Sequence, residues 1–321
     1  MTHPPNQHDP LQPPDRSSAE TERRNPKSMG LHGLSVSACV ALINEEDAAV
    51  HAAVRGALGA ITRFIEAAEP GFVRGGRLIY VGAGTSGRLG VLDASEAPPT
   101  FCVEPGRVVG IIAGGASALT RSSEGLEDDP NGAEPDLRAL SLTADDTVLG
   151  VAAGGTTPYV LGAISLARSL SPGAVTGLLT CARVDAARAG VGAGHVMEVL
   201  CGPEVLTGST RMKAGTATKM VLNMISTTLM VRGGRVYENL MVDVRATNAK
   251  LRDRAARIVS ALTGLTRADG FGLLDRAGGS VKAAVVMHRL GLSREGAQAA
   301  LDRAGGRLDA ALSGGVTPSG S

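Results

Sequence analysis

The chain has 321 residues, of which 43% are hydrophobic and 2% aromatic, and its 32 basic and 31 acidic side chains leave a formal net charge of +1. This length is enough for one main domain with a full core plus a small second unit. Because opposite charges are interspersed and aromatic residues are scarce, the sequence excludes a basic surface for nucleic acid or anionic membrane, disfavours a base-stacking module, and favours a small-molecule partner.

Residues 1–20 are predicted to form a disordered tail. The segment is rich in Pro, Gln, Asp and His and has no apolar stretch of the kind that a secretory signal requires. The most apolar long stretch, residues 220–231, is well short of the ~20 residues that cross a bilayer and indicates a buried helix instead. We therefore expect a cytoplasmic protein that does not enter a membrane.

Two helices are predicted within residues 35–69. Apolar residues recur there at helical spacing: Val40, Leu42, Ile43, Val50, Val54, Leu58, Ile61 and Ile65. The polar run Asn44-Glu45-Glu46-Asp47 interrupts them, and acidic residues stabilise the positive end of a helix dipole. We therefore place a helix start at this run.

Short apolar runs that alternate with helical patterns follow. Four of them, residues 78–81, 108–113, 147–152 and 175–180, are each followed by a helical pattern, the first three after a glycine at position 82, 114 or 154, and a fifth, residues 196–200, precedes a long helix from near Ser209. This alternation predicts an α/β fold with a doubly wound parallel sheet over residues 21–265.

The pattern changes beyond about Leu265. Residues 266–321 contain short Ala-rich helical patterns broken by glycine pairs, and no apolar run typical of a strand remains. The sequence therefore predicts a small C-terminal helical domain, most simply a three-helix bundle.

A glycine-rich loop follows the first predicted strand. Gly82-Ala83-Gly84-Thr85-Ser86-Gly87 matches G-x-G-x-x-G, but the next strand ends in Gly114-Gly115 instead of the acid that a dinucleotide's ribose requires, and the Gly-Lys-Ser/Thr of a P-loop is absent. Two hydroxyls beside free N–H groups at a positive helix end suit a phosphate monoester. We predict that Gly84, Thr85, Ser86 and Arg88 bind the phosphate. A dinucleotide site and a purely structural turn are the alternatives.

A second loop, Gly154-Gly155-Thr156-Thr157-Pro158, follows the third strand, with Pro158 at the first position of the next helix. Thr156 and Thr157 are candidates to close over the same phosphate or the sugar. The alternative is an ordinary turn from strand to helix.

Two long runs resemble a known family. Residues 82–100 read GAGTSGRLGVLDASEAPPT and residues 202–222 read GPEVLTGSTRMKAGTATKMVL, and both closely resemble the N-acetylmuramic acid 6-phosphate etherases. The resemblance covers about residues 21–312 and includes residues 21–26, 43–47, 239–248 and 277–287. A general sugar-isomerase-type phosphosugar domain shares only the first loop, whereas residues 202–219 look like the etherases and their distant relative, glucokinase regulatory protein.

The resemblance implies a fold, an assembly and a reaction. It implies a sugar-isomerase-type domain, a homodimer, and conversion of N-acetylmuramic acid 6-phosphate to N-acetylglucosamine 6-phosphate and D-lactate without a cofactor. The family's catalytic glutamates fall on Glu96 and Glu127. Glu124 lies one helical turn before Glu127, so an alignment shift of one turn would exchange them.

The chain departs from the family in two places. Its second loop reads AAGGTTPY over residues 152–159 where the family usually has AASGRTPY, so a hydroxyl and a guanidinium are missing. Cys181-Ala182-Arg183 stands where the family tends to have Cys-Asn-Pro. These departures bear on substrate affinity and on which groups hold the phosphate.

Glu96 suits the role of general acid in an elimination. The helix from Ser86 is predicted to end before Pro98-Pro99, which places Glu96 at the negative helix end, where an anion is disfavoured. Ten residues of helix rise about 15 Å, so Glu96 lies far from its own Ser86. Either the helix bends at its glycines, or Glu96 serves the sugar of the partner subunit, which we favour. A solvated glutamate is the alternative for Glu96, and a solvated acidic turn for Glu127.

Arg211 and Lys213, at the start of the long helix, are candidates to bind the lactyl carboxylate or the phosphate; ordinary surface charge is the alternative. Asn248 and Lys250 are weaker candidates.

His195 lies near a strand end but no HxxxH or HExxH pattern accompanies it, so we predict no metal site. The four cysteines, Cys39, Cys102, Cys181 and Cys201, form no CxxC pair and indicate neither a zinc site nor a disulfide framework.

Two other functions stay open at this point. One is a non-catalytic phosphosugar sensor similar to glucokinase regulatory protein, and the other is an aldose–ketose phosphosugar isomerase, which needs the same proton abstraction at carbon 2 but no acid at carbon 3. Release of lactate distinguishes the etherase from both.

Overall fold

The computed structural model describes residues 19–122, 124–184, 192–244 and 248–314. At its centre is a parallel five-stranded sheet with strand order β2-β1-β3-β4-β5. The strands are β1 Leu78–Gly82, β2 Val108–Ile112, β3 Thr147–Val151, β4 Val175–Thr180 and β5 His195–Glu198. Each coincides with a predicted apolar run within two residues at either end, and the predicted parallel sheet is confirmed.

Helices cover both faces of this sheet. They are α1 Val36–Arg74, α2 Gly84–Phe101, α3 Glu134–Ala139, α4 Pro158–Leu170 and α5 Lys213–Arg232. Tyr80 of β1 packs in one core with α1, α2 and α5, whereas its neighbours Ile79 and Val81 pack in a second core with α3 and α4. Successive strand residues point to opposite faces, so this division makes the sheet doubly wound, as predicted.

The prediction of two helices within residues 35–69 is wrong, because α1 is one helix of 39 residues. The N-cap residue of this helix is Ser35, whose hydroxyl accepts a hydrogen bond from Ala38 N. Asn44-Glu45-Glu46-Asp47 lies inside the helix, where Glu46 is buried and pairs with Lys213 of α5 at 2.8 Å. The acidic run therefore reflects a tertiary ion pair and not a helix start.

The prediction that α2 ends before Pro98 is also wrong. The helix includes Pro98 and Pro99 and ends at Phe101, and Cys102, at φ +52°, donates its N–H to the Pro98 carbonyl. Proline nitrogens cannot bond the carbonyls one turn earlier, but Ala97 and Phe101 are buried in the core and hold the last turn in place. Glu96 therefore lies inside the helix and before its last turn, which is where the helix dipole affects a charge.

The C-terminal region is helical, as predicted. Residues 248–314 contain α6 Ala249–Thr263, α7 Arg267–Arg276, α8 Val281–Leu290, α9 Arg294–Arg303 and α10 Leu308–Leu312, so four helices and not three follow residue 265 in this range. A short hairpin of β6 Val236–Tyr237 and β7 Leu240–Met241 precedes them. The hairpin, α6 and the later helices share one core. The domain boundary at 265/266 stays a prediction.

Candidate active site

The loop between β1 and α2 is closely packed around its glycines. A Cβ atom on Gly87 would lie 2.8 Å from the Gly82 carbonyl oxygen, and one on Gly82 would lie 2.7 Å from Gly87 N. Gly84 has φ +53°, in the left-handed region that favours glycine. The G-x-G-x-x-G spacing therefore has a steric origin in this chain and does not require a dinucleotide.

The first turn of α2 offers hydrogen-bond donors to an anion. It begins at Gly84, and the preceding Ala83 contributes no side-chain cap, so the first N–H groups of the helix have no cap from that residue. Thr85 and Ser86 add two hydroxyls in the same turn, with Ser86 nearly buried and Thr85 partly buried. N–H groups, hydroxyls and a positive helix end together suit a phosphate.

The start of α5 lies beside this loop. A Cβ atom on Gly215 would lie 3.5 Å from Thr85 Cγ2, so the first turns of α2 and α5 lie side by side. Arg211, just before α5, is exposed, whereas Lys213 is only 2% exposed. The structure thus brings Arg211 and Lys213 near the loop of residues 82–87, the predicted phosphate loop, but Arg211 faces solvent and Lys213 is buried.

Lys213 belongs to a buried polar cluster that the sequence analysis missed. Glu46 accepts hydrogen bonds from Lys213 Nζ at 2.8 Å and from Asn25 Nδ2 at 2.6 Å, and it pairs with Lys27 Nζ at 2.9 Å. Burial would raise the pKa of Glu46, but these three groups lower it to about 2. The available signal was the resemblance over residues 21–26 and 43–47, which includes both Asn25 and Glu46.

Glu204 is a second residue that was missed. Its carboxylate accepts hydrogen bonds from the N–H groups of Lys213 and Ala214, at 3.0 and 2.9 Å, and so caps α5, whose own N-cap residue Met212 contributes no side-chain bond. Burial raises the pKa of Glu204, although these two hydrogen bonds act in the opposite direction. Its place within residues 202–222 was the signal that could have found it.

The second loop lies next to the first, because β1 and β3 are adjacent parallel strands whose carboxyl ends share one edge of the sheet. Thr156 is exposed, and Thr157 precedes α4 without capping it through its hydroxyl. A Cβ atom on Gly154 would lie 3.8 Å from Thr21 Oγ1. The N-terminal segment therefore reaches this loop as well as α5.

Glu96 is exposed on α2, and Leu92 and Pro99, on the same helix face, are exposed too. One turn earlier, Asp93 accepts hydrogen bonds from Tyr80 Oη at 2.8 Å and Ser226 Oγ at 3.1 Å. Burial raises the pKa of Asp93, although both bonds oppose this. Asp93 thus connects the helix that carries Glu96 to β1 and α5.

Glu127 is partly buried, and its backbone carbonyl accepts a hydrogen bond from Tyr159 N at 3.0 Å. The side chain of Glu124 lies outside what the structure describes. Arg88 donates from Nε to the Ala118 carbonyl and from Nη2 to the Arg121 carbonyl, each at 2.9 Å. Its guanidinium therefore binds the segment that leads to Glu127, while its role as a phosphate ligand stays a prediction.

The remaining candidates have local partners or lie apart. Asn248 caps α6 by accepting a hydrogen bond from Leu251 N at 2.9 Å, and the neighbouring Lys250 is exposed. His195 packs edge-on against Phe64, and burial, with a smaller effect from Arg63, lowers its pKa. Within the described ranges, no cluster of three or more His, Cys, Asp or Glu is placed to hold a metal ion.

Among the residues that the structure describes, no helix combines the length and the apolar character that crossing a membrane requires.

Known proteins match this chain over most of its length. Residues 58–168 match the family of the glucokinase regulatory protein N-terminal SIS domain. A protein from Gloeobacter violaceus named N-acetylmuramic acid 6-phosphate etherase is 53% identical over 86% of this chain and 89% of its own. One of the same name from Streptomyces coelicolor is 53% identical over 87% of this chain and 89% of its own. A solved structure from E. coli CFT073, in complex with A5P, is 13% identical over 64% of this chain and 97% of its own, with a TM-score of 0.45. The resemblance predicted from the sequence is confirmed, and the chain belongs to the N-acetylmuramic acid 6-phosphate etherase family.

Proposed function

We propose that this protein is an N-acetylmuramic acid 6-phosphate etherase, a carbon–oxygen lyase that releases D-lactate and N-acetylglucosamine 6-phosphate during recycling of cell-wall sugars. The observation that carries the proposal is the 53% identity to a relative of that name over 86% of the chain. The donors on the first turn of α2 support it, because the substrate is a phosphate monoester.

The reaction is an elimination followed by addition of water. In the open-chain sugar the proton on carbon 2 is α to the aldehyde, so a carboxylate can remove it. A carboxylic acid protonates the ether oxygen on carbon 3 as lactate departs, and water then adds across the new double bond with its hydroxyl on carbon 3. We assign these proton transfers to Glu96 and Glu127, since two carboxyl groups can supply both an acid and a base.

The substrate groups are assigned to the surrounding residues by charge. Gly84, Thr85, Ser86 and the N-terminus of α2 hold the phosphate, and Thr156 and Thr157 lie on the neighbouring loop toward the sugar. The exposed Arg211 provides the cation for the lactyl carboxylate.

We further propose a homodimer with a shared active site. Glu96 stands about 15 Å along α2 from Ser86, farther than a hexose comfortably reaches. Leu92, on the same face as Glu96, is 49% exposed, and a second subunit would cover it. Glu96 of one protomer would then act on the sugar held by its partner's phosphate loop.

Mixing two inactive variants tests this sharing. Hybrids of Glu96→Gln protein with Ser86→Asp protein, whose added negative charge repels the phosphate, should recover part of the wild-type lactate release because one composite site per dimer is intact. Each variant mixed with itself is the control. Formation of hybrids is checked by giving the two variants different affinity tags. Hybrids that stay inactive would show that each subunit uses its own Glu96.

The function itself is tested by adding N-acetylmuramic acid 6-phosphate to the pure protein and assaying D-lactate. We expect D-lactate and N-acetylglucosamine 6-phosphate to form in equal molar amounts. A sensor would bind the sugar and leave it unchanged, and an isomerase would form a ketose phosphate without lactate, so either result would replace the proposed reaction.

We place the protein in the cytoplasm. Its four cysteines are free thiols, which is consistent with a reducing compartment, and its proposed substrate is a phosphorylated sugar.

A further inference from the structure

A buried ion pair lies at the first turn of α5, and the proposed proton transfers do not use it. Lys213 is 2% exposed and Glu46 is 7% exposed, and Lys213 Nζ lies 2.8 Å from Glu46 Oε2. We propose that this pair positions the first turn of α5 for phosphosugar binding, so that Lys213 is a positioning residue and not a ligand of the substrate. The inference rests on the proposed function for the identity of the sugar.

The first residue of α5 is held in two ways. The side chain of Lys213 is fixed to α1 through Glu46, while its backbone N–H donates to Glu204 Oε2 at 3.0 Å. Glu204 also accepts the N–H of Ala214 at 2.9 Å. Because Glu204 is itself 1% exposed, neither carboxylate is free to move without leaving a charge or a donor unpaired in the interior.

The N-terminal segment completes this arrangement. Asn25, 4% exposed, donates to Glu46 at 2.6 Å and to the Pro203 carbonyl at 3.3 Å. It therefore connects α1 to the segment that carries Glu204. The pair is thus part of a network that joins three separate stretches of chain around the start of α5.

This network borders the groups that would meet the substrate. Gly215, two residues after Lys213, lies beside Thr85 of the phosphate loop, since a Cβ atom added to Gly215 would be 3.5 Å from Thr85 Cγ2. Arg211, two residues before Lys213, is exposed. A displacement of the first turn of α5 would consequently move both Arg211 and a wall of the phosphate loop.

Direct binding of the substrate by Lys213 conflicts with its surroundings. To reach an anion outside, the ammonium group would have to leave Glu46 and its buried position. Among the described residues, Glu46 would then keep only Asn25 and the exposed Lys27 as partners, and separating a buried pair in this way is strongly unfavourable.

A double-mutant cycle tests the proposal. The variants are Lys213→Met, Glu46→Gln, and Lys213→Met with Glu46→Gln; the matched control is Lys27→Met, which removes the exposed partner of the same carboxylate. The measurements are the thermal unfolding midpoint, the Kd for N-acetylglucosamine 6-phosphate by calorimetry, and KM and kcat for lactate release.

We expect Lys213→Met to lower the unfolding midpoint and to raise Kd and KM by about tenfold or more, because it leaves Glu46 charged and buried. The double variant removes both charges, so its midpoint should recover and its Kd should return to within about threefold of wild type. The control should change Kd by less than about twofold, as expected for an exposed ion pair.

A direct ligand would give a different pattern. If the double variant regains its unfolding midpoint but binds the sugar as weakly as Lys213→Met, the ammonium group contacts the substrate and the proposal is wrong. A double variant that regains neither would also overturn the proposal, because removing both charges would then not restore the first turn of α5. Because Kd is measured with a sugar phosphate that has no ether, the result does not depend on lactate release, whose absence in the wild type would instead refute the proposed reaction.

Discussion

Glu96→Gln and Glu127→Gln should each lower the rate of lactate release by at least ~10²-fold, the loss expected when general acid–base catalysis is removed. Glutamine keeps the shape and hydrogen-bonding capacity of glutamate but cannot act as a general acid or base at neutral pH. Binding of N-acetylglucosamine 6-phosphate should survive, because neither residue is assigned to the phosphate. Glu66→Gln, at an exposed position on α1, is the matched control and should be fully active.

Isotope exchange separates the roles of the two glutamates. If Glu127 removes the carbon 2 proton, Glu127→Gln should stop exchange of that proton with deuterated solvent, while Glu96→Gln should retain some exchange. The reverse pattern would interchange the roles. Loss of exchange in Glu124→Gln instead of Glu127→Gln would place the base one turn earlier. Near-normal lactate release by both Glu96→Gln and Glu127→Gln would refute the two-carboxylate mechanism.

Removing the phosphate from the substrate should lower kcat/KM by roughly 10²- to 10⁴-fold, if two hydrogen bonds to the charged group contribute about 1.5–3 kcal/mol each. Binding energy from the phosphate is used to orient the reacting carbons, so unphosphorylated N-acetylmuramic acid should be a very poor substrate. The measurement is kcat/KM for both sugars with the same protein preparation.

Ser86→Ala connects this effect to the loop. It should weaken binding of the phosphorylated sugar by about 1.5–3 kcal/mol and leave the activity toward the unphosphorylated sugar unchanged. Ser165→Ala, at an exposed site on α4, serves as the control. Comparable efficiency with both sugars would remove the assignment of the phosphate to Thr85 and Ser86.

The strands and the phosphate loop were predictable because their signals are local. A short apolar run bounded by turn residues is typical of a buried parallel strand, and β1 to β4 each begin at the predicted residue. The glycines at 82, 84 and 87 are required by backbone geometry within six residues of chain. Neither feature depends on distant parts of the sequence.

The errors arose where a distant contact outweighs the local preference. Glu45 and Glu46 indicated a helix start because a buried partner 167 positions away is invisible in a short window. Pro98 indicated a helix end, but burial of Ala97 and Phe101 keeps the last turn helical. The assignment of Glu96 and Glu127 came from the family resemblance, since in local sequence both look like ordinary solvated acids.

The ion pair between Glu46 and Lys213 also constrains the order in which the chain folds. The first helix of the main domain is synthesised long before its charged partner, with all five sheet strands between them. Until residue 213 leaves the ribosome, Glu46 has no buried cation to join, so docking of the N-terminal part of α1 against α5 must wait for nearly the whole α/β domain. Contacts of such long sequence separation form late, since the loop between them must close first. A nascent chain that ends before α5 would therefore lack one wall of the phosphate loop, and the proposed site would be complete only once the whole domain has been synthesised.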